Sequence, residues 1–231
     1  IVLSTWYSTD YPRSYGNAMR LLEIANEKGH PDASALIGSL IEKRKISSSL
    51  SKKKVMEYYN KSCLLGSYEG MYHMATFYHY GIESVVDKNI SEAARLYNLV
   101  AKNQCFNHNK NAAIFSLSNL YEEIGEFEVA FKLADFYREK DDMFVGYLRC
   151  ADLYDRGVGV DKDEKKAEKY LNIAKDKRFK NDQLKIALLY SRAKGVTCNM
   201  EKFFNWMKIS AENGSSMAQA NLANYYFKTK K

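Results

Sequence analysis

The most constraining feature of this sequence is a pattern that returns about every 37 residues. Six segments each place two apolar or aromatic side chains three and four positions after an apolar anchor. The anchors are Ala18, Val55, Ala93, Ala130, Ala167 and Phe203. They are separated by 37, 38, 37, 37 and 36 residues. A period held this closely predicts a fold built from one repeated structural unit.

A second pattern lies between the anchors. A large apolar residue follows a small or polar one by eight positions, with an apolar residue and a small residue between them. The copies span residues 33–41, 70–78, 113–121, 146–154, 182–190 and 218–226, and an incomplete copy runs from Leu3 to Tyr7. Spacings of three, four and eight put these residues on one helix face. Each unit is therefore predicted to be helix A, a turn, helix B and another turn.

Stacked helix pairs of this kind bury a continuous core. We therefore predict an all-α fold, a right-handed superhelical solenoid of helix-turn-helix repeats of about 37 residues. The predicted single repeat domain covers 1–231, with a partial first repeat 1–29, repeats 30–66, 67–105, 106–141, 142–178 and 179–214, and a partial last repeat 215–231. Because both ends fall within a repeat, we expect a fragment of a longer chain. In the last helix, Met217, Leu222 and Tyr226 are expected to pack on the preceding helix B.

Local signals refine this organisation. Gly29, Gly66 and Gly214 each follow a helix-B anchor by 11 residues, where a left-handed helix end favours glycine. Ala130 follows Tyr121 by only nine positions, which predicts a short turn at residues 124–126. Five additional residues near 105–109 predict a longer helix or a loop there.

The residues also resemble a known family, the Sel-1-like repeats, which are related to tetratricopeptide repeats. The family pattern G-x-G-V-x2-D-x2-K-A is matched by Gly157-Val158-Gly159-Val160, Asp163 and Lys166-Ala167. A looser copy is formed by Gly195-Val196, Asn199 and Lys202-Phe203, and Trp206-Met207 with Ala211-Glu212-Asn213-Gly214 completes that unit. The resemblance covers nearly the whole chain and implies the same helical solenoid.

Composition excludes several classes of protein. With 46% hydrophobic and 27% charged residues the chain is globular rather than disordered. No apolar run approaches the roughly 18 residues of a membrane span. The net charge of +7 favours an acidic partner. Acidic residues interrupt the lysines between 162 and 180, which argues against nucleic acid as a partner.

Basic residues at 43–45 and 52–54 flank a serine-rich segment. This segment is either a solvated loop, a binding site for phosphate or an acidic partner, or a phosphorylation site.

The cysteines favour a reducing compartment. Cys63, Cys105, Cys150 and Cys198 form no CxxC motif and are too few for a disulfide framework. The cytoplasm is the expected location, with the endoplasmic-reticulum lumen or secretion as alternatives because an even number of cysteines still permits two bridges.

Sites for catalysis, metals and cofactors are not indicated. Cys105 and His108 have ligand-like spacing, but a zinc site needs a second pair. The pair Gly157 and Gly159 lacks the third glycine and the preceding strand of a nucleotide site. We therefore expect a non-enzymatic protein with no cofactor and no metal.

The resemblance implies a protein-binding groove on the concave face, formed by A-helix residues at fixed positions before and after the large residue. The carried-over positions proposed to bind a partner are Tyr72, Thr76, His79, Tyr80, Phe115, Asn119, Glu122, Asp152, Asp155, Arg156, Ser191 and Arg192. An alternative is that Tyr72, Phe115, Leu148 and Leu188 pack against the next unit instead.

We therefore expect a scaffold or adaptor that binds protein or peptide partners. The resemblance also implies alternatives: a lumenal substrate-recruiting adaptor of an endoplasmic-reticulum ubiquitin ligase, a secreted bacterial host-interaction protein, or an accessory repeat domain of a larger enzyme.

Overall fold

The structure is a computed structural model that describes residues 14–43, 49–103, 109–191 and 200–229. In these ranges the chain is helical and has no β-strand beyond an isolated bridge between Ile82 and Val86. It forms two compact units, residues 1–109 and 110–231. The first contains α1 (Ser14–Glu27), α2 (Pro31–Lys43), α3 (Ser49–Leu64), α4 (Tyr68–Tyr80) and α5 (Ile90–Lys102). The second contains α6 (Lys110–Glu123), α7 (Phe127–Asp141), α8 (Phe144–Arg156), α9 (Glu164–Ala174), a 3-10 turn (Lys177–Phe179), α10 (Lys180–Ser191), α11 (Met200–Glu212) and α12 (Ser216–Thr229).

The predicted all-α repeat fold is confirmed in each unit. Even-numbered helices are the A helices and odd-numbered ones are the B helices. Consecutive helices pack against one another through α1–α5 and through α6–α9. The anchors Ala18, Val55, Ala93 and Ala130 are at most 2% exposed, so the periodic side chains form the core as expected. Further along, α9 packs on α8 and α10 packs mainly on α11.

Two glycines allow neighbouring helices to approach closely. A Cβ on Gly70 would lie 2.6 Å from the backbone nitrogen of Cys63 in α3. A Cβ on Gly146 would lie 2.4 Å from the backbone nitrogen of Arg138 in α7. Each glycine is the first residue of the repeated pattern in its A helix. Even the methyl group of an alanine at this position would force the two helices apart.

The predicted turns are present. Gly29, Gly66 and Gly214 have φ values of 76°, 83° and 87°, the left-handed conformation expected at these helix ends. The short turn between α6 and α7 consists of residues 124–126. Most of the expected insertion near 105–109, with Cys105 and His108, lies outside the described residues.

Two serines at equivalent B-helix positions connect the two helices of a hairpin. The hydroxyl of Ser62 in α3 donates to the carbonyl of Pro31 at the start of α2 (2.6 Å). The hydroxyl of Ser210 in α11 donates to the carbonyl of Lys180 at the start of α10 (2.6 Å). Both serines are fully buried. Each hydroxyl thus donates to a carbonyl in the first turn of the A helix, using the second lone pair of an oxygen that can also accept the helical hydrogen bond.

The last helix differs from the expectation. Met217 is 62% exposed and Tyr226 is 50% exposed, whereas Ala218 is fully buried and Leu222 is partly buried. The prediction that Met217 and Tyr226 pack on the preceding helix is therefore wrong. The small Ala218 side chain is buried at this position, and Tyr225 packs on Phe204 of α11 with ring centroids 4.4 Å apart.

Candidate protein-binding groove

In the first unit, the predicted groove positions of α4 divide into a buried pair and a partly exposed pair. Tyr72 is 8% exposed and His79 is fully buried, whereas Thr76 and Tyr80 are partly exposed. Tyr97 of α5 lies beside Tyr72, with ring centroids 5.9 Å apart, and its hydroxyl donates to the Thr76 hydroxyl (3.2 Å). The rings of Tyr72 and His79 therefore belong to the core of this unit and do not offer exposed area to a partner.

In the second unit, Phe115 of α6 is also a core residue. It is 1% exposed, and the guanidinium of Arg149 in α8 lies 5.3 Å from its ring centroid. The Arg149 Nε atom donates to the Ser118 hydroxyl (3.1 Å), and that hydroxyl donates to the carbonyl of Ala130 (3.2 Å). The expectation of an exposed aromatic anchor at Phe115 is wrong, because the ring lies within a buried cation–π and hydrogen-bonded arrangement.

Carboxylates and arginines of α6 and α8 form a network at the predicted groove positions. Arg149 and Arg156 both donate to Glu122 and both donate to Asp152. The Nζ atom of Lys202 in α11 lies 3.5 Å from Asp152. Burial of Glu122 alone would raise its pKa, but hydrogen bonds from Arg156 and Arg149 lower this pKa to about 2. Glu122, Asp152 and Arg156 therefore form a charged surface that is fixed in position.

An open groove lies beside this network, between α8, α9 and α11. Its volume is about 390 Å³. Its floor is apolar and consists of Leu148, Ala151, Ala167, Leu171 and Trp206. Its rim is polar and consists of Asp152, Asp155, Glu164, Glu168, Lys202 and Asn205. We call this site the α8–α9–α11 groove. It includes two of the predicted partner-binding positions, Asp152 and Asp155.

The remaining predicted positions are less informative. Asn119 of α6 is partly exposed. Ser191 is the last residue of α10, and Arg192 lies outside the described residues. The partner-binding role of these residues stays a prediction.

The glycine pair after α8 forms a helix-capping turn. Gly157 is left-handed, and the backbone N–H groups of Gly157 and Val158 both donate to the carbonyl of Leu153. A Cβ on Gly159 would lie 2.0 Å from the carbonyl oxygen of Phe127. These N–H groups therefore terminate α8, which supports the interpretation of this segment as a turn between helices rather than a phosphate-binding loop.

Sequence reasoning missed the residues that give the groove its shape and charge balance. Trp206 and Ala167 were recognised only as repeat positions, Glu168 only as one of the acidic residues that interrupt a lysine-rich segment, and Arg149 was not predicted to contribute to a site. The groove combines residues of two consecutive hairpins, α8 with α9 and α11 from the next. The pattern of apolar residues along one helix does not predict how three helices are arranged around a groove.

Within the described part of the chain, no helix is both long and apolar enough to cross a bilayer.

Comparison with known proteins supports the repeat assignment. The sequence matches the Sel1 repeat at residues 3–30, 69–104, 145–178 and 183–215, which together exceed half of the chain. No match was found among curated proteins.

Solved structures that resemble this fold include two Sel1-type repeat proteins. One is c5321, a protective antigen of uropathogenic Escherichia coli strains displaying an SLR fold; it has a TM-score of 0.59 and 22% identity over 98% of this chain and 48% of the antigen. The present chain thus spans about half the length of that protein. The other is a Sel1 repeat protein from Oxalobacter formigenes, with a TM-score of 0.54 and 25% identity over 88% of this chain and 82% of the relative.

Proposed function

Because the chain belongs to the Sel1 repeat family, which generally mediates protein–protein interaction, we propose that it is a non-enzymatic scaffold or adaptor that binds a protein or peptide partner. The binding surface of each unit is its A-helix face, which we define by partly or fully exposed positions. These are Thr76 and Tyr80 in the first unit, and Asn119, Glu122, Asp152, Asp155 and Arg156 in the second. Ser191 and Arg192, the next predicted positions along the sequence, are also proposed to bind the partner. Tyr72, His79 and Phe115 support the face from beneath rather than contacting the partner.

The network of Glu122, Asp152 and Arg156 is the observation that carries this proposal. The three side chains are 23%, 26% and 40% exposed, so their edges are available to a partner. Each is already held by charged hydrogen bonds within the second unit. Rigid polar groups lose little conformational entropy when a partner binds, which favours recognition at a preorganised surface.

A peptide library without compositional bias tests the proposal. The purified chain is used to select from random peptides displayed on phage, and the photo-crosslinking amino acid benzoylphenylalanine replaces Tyr80 or Asn119. The control position is Lys132 of α7, a B-helix residue whose side chain is 74% exposed. We expect selected peptides to crosslink from positions 80 or 119 and not from position 132. Selection of no peptides, or crosslinking only from position 132, would contradict the proposal.

A further inference from the structure

The α8–α9–α11 groove has a preformed apolar floor. Trp206 is 4% exposed and its ring meets that of Phe144 edge to face, with centroids 5.6 Å apart. Leu148, Ala151 and Ala167 are 6%, 5% and 7% exposed. The two alanines face the open space with only a methyl group each, so the groove retains depth between α8 and α9. A volume of about 390 Å³ is enough for one or two large apolar side chains.

The rim of this groove is acidic. Four carboxylates, those of Asp152, Asp155, Glu164 and Glu168, and a single lysine, Lys202, surround the floor. Asp152 is already balanced by Arg149, Arg156 and Lys202. Among the described residues, Asp155 and Glu168 form no salt bridge, and both are exposed. These two carboxylates lie on α8 and α9, the two helices whose alanines form the floor.

We propose that the α8–α9–α11 groove binds a basic peptide segment, with a leucine- or phenylalanine-sized side chain on the floor formed by Trp206 and Leu148 and a lysine or arginine between Asp155 and Glu168. This inference rests on the proposed protein-binding function and specifies its ligand. An apolar side chain removes the floor from water. A cation can pair with Asp155 and Glu168, which form no salt bridge among the described residues, although Lys162 acts electrostatically on Asp155.

This partner has the opposite charge to the one that the overall composition favours. The net charge of +7 belongs to the whole chain, and exposed charges are screened over about 8 Å at physiological ionic strength. The carboxylates on the rim therefore determine which side chains can approach the floor. An acidic peptide or a nucleic-acid phosphate would place like charges beside Asp155 and Glu168.

Tryptophan fluorescence and calorimetry provide a direct test. The chain has two tryptophans, so a Trp6→Phe variant leaves Trp206 as the only tryptophan. The probe is a twelve-residue peptide amide with four lysines and two leucines. One matched peptide replaces the lysines by glutamates, and another replaces the leucines by serines. We expect the first peptide to bind with a change in Trp206 emission, and each matched peptide to bind at least tenfold more weakly.

Paired charge variants locate the binding site. Asp155→Asn with Glu168→Gln removes the two rim carboxylates and should weaken the lysine–leucine peptide at least tenfold. Glu128→Gln with Glu139→Gln makes the same change in net charge on α7, at side chains that are 77% and 67% exposed, and should change the affinity less than twofold. Melting temperatures of both variants establish that the fold is retained.

The outcomes distinguish this inference from the proposed function. Equal weakening by both double variants, or equal binding of the glutamate peptide, would overturn the basic-peptide groove. Random-library peptides that are acidic or neutral and crosslink from Asn119 would also overturn it, while leaving the protein-binding function in place. If neither the random library nor the lysine–leucine peptide binds, both proposals are wrong.

Discussion

The guanidinium of Arg156 holds the carboxylate of Glu122 through two parallel hydrogen bonds, Nη1 to Oε1 at 2.6 Å and Nη2 to Oε2 at 2.9 Å. The two residues are 34 positions apart and connect the A helices α6 and α8. Bidentate pairs of this kind are both strong and directional. They fix the relative position of two consecutive A helices at the surface proposed to bind a partner.

Glu122 should therefore contribute stability that depends on pH. Its pKa is lowered from 4.5 to about 2 in the folded state, so the contribution is complete above pH 4.5 and is lost as the pH falls towards 2. Glu122→Gln should lower the free energy of unfolding by about 2 kcal/mol at pH 7, and the difference should shrink at pH 3. Urea denaturation at both pH values measures it. As a control, Glu128→Gln, which removes one partner of an exposed surface pair, should lower the free energy of unfolding by less than about 0.5 kcal/mol. If the effect of Glu122→Gln did not depend on pH, the lowered pKa of Glu122 in the folded state would be contradicted.

Gly146→Ala and Gly16→Ala should have opposite effects. The new methyl group at position 146 would overlap the backbone of Arg138, so we expect a loss of about 1–3 kcal/mol from overpacking between α7 and α8. At position 16 of α1 the new methyl group would meet no atom of another described element within 4 Å. Alanine there should stabilise the chain by up to about 1 kcal/mol through helix propensity. Thermal melts of the two variants give the comparison, and equal effects would be inconsistent with close packing at Gly146.

Phe115→Ala should affect folding before it affects binding. The ring is 1% exposed, and loss of a buried phenylalanine side chain costs about 3–5 kcal/mol through transfer and cavity terms. Tyr80→Ala, at a partly exposed position, should cost about 1 kcal/mol. Chemical denaturation distinguishes the two. A Phe115→Ala chain that melts like the wild type would restore Phe115 as a surface anchor.

The thiol of Cys150 should be unreactive in the native chain. The residue is fully buried, and burial raises its thiol pKa to about 12, so almost no thiolate is present at pH 8. In a variant with the other three cysteines replaced by serine, reaction with an aromatic disulfide reagent should be at least 100-fold slower than in the urea-unfolded chain. Rapid native-state labelling would instead indicate that the second unit opens around α8.

The repeat fold could be predicted from the sequence because its determinants are local and recur. Five of the six anchors, Ala93 and Ala130 among them, are buried and Phe203 is partly buried. Each copy of the pattern supports the helical interpretation of the others. One periodic signal thus gives the order of the helices and the positions of their turns.

The candidate site was less predictable. In α6 the residues from Ala112 to Ser118 are all buried. Phe115 was assigned to the groove from the positions that the family resemblance implies. Because its neighbours along nearly two turns are also buried, the helix pattern did not show that this ring lies beneath the surface. The α8–α9–α11 groove depends on where α9 and α11 lie relative to α8, which no periodicity within one helix determines.

The hairpin serines have a kinetic consequence. Ser62 and Pro31 are 31 residues apart, and Ser210 and Lys180 are 30 apart. These separations are small compared with the 231-residue chain, so the contacts within one hairpin require smaller loops to close than contacts between distant repeats would. Since each serine joins two helices of the same hairpin, one hairpin can form its internal contacts before its neighbours are in place. The chain can then grow outward from whichever hairpin forms first.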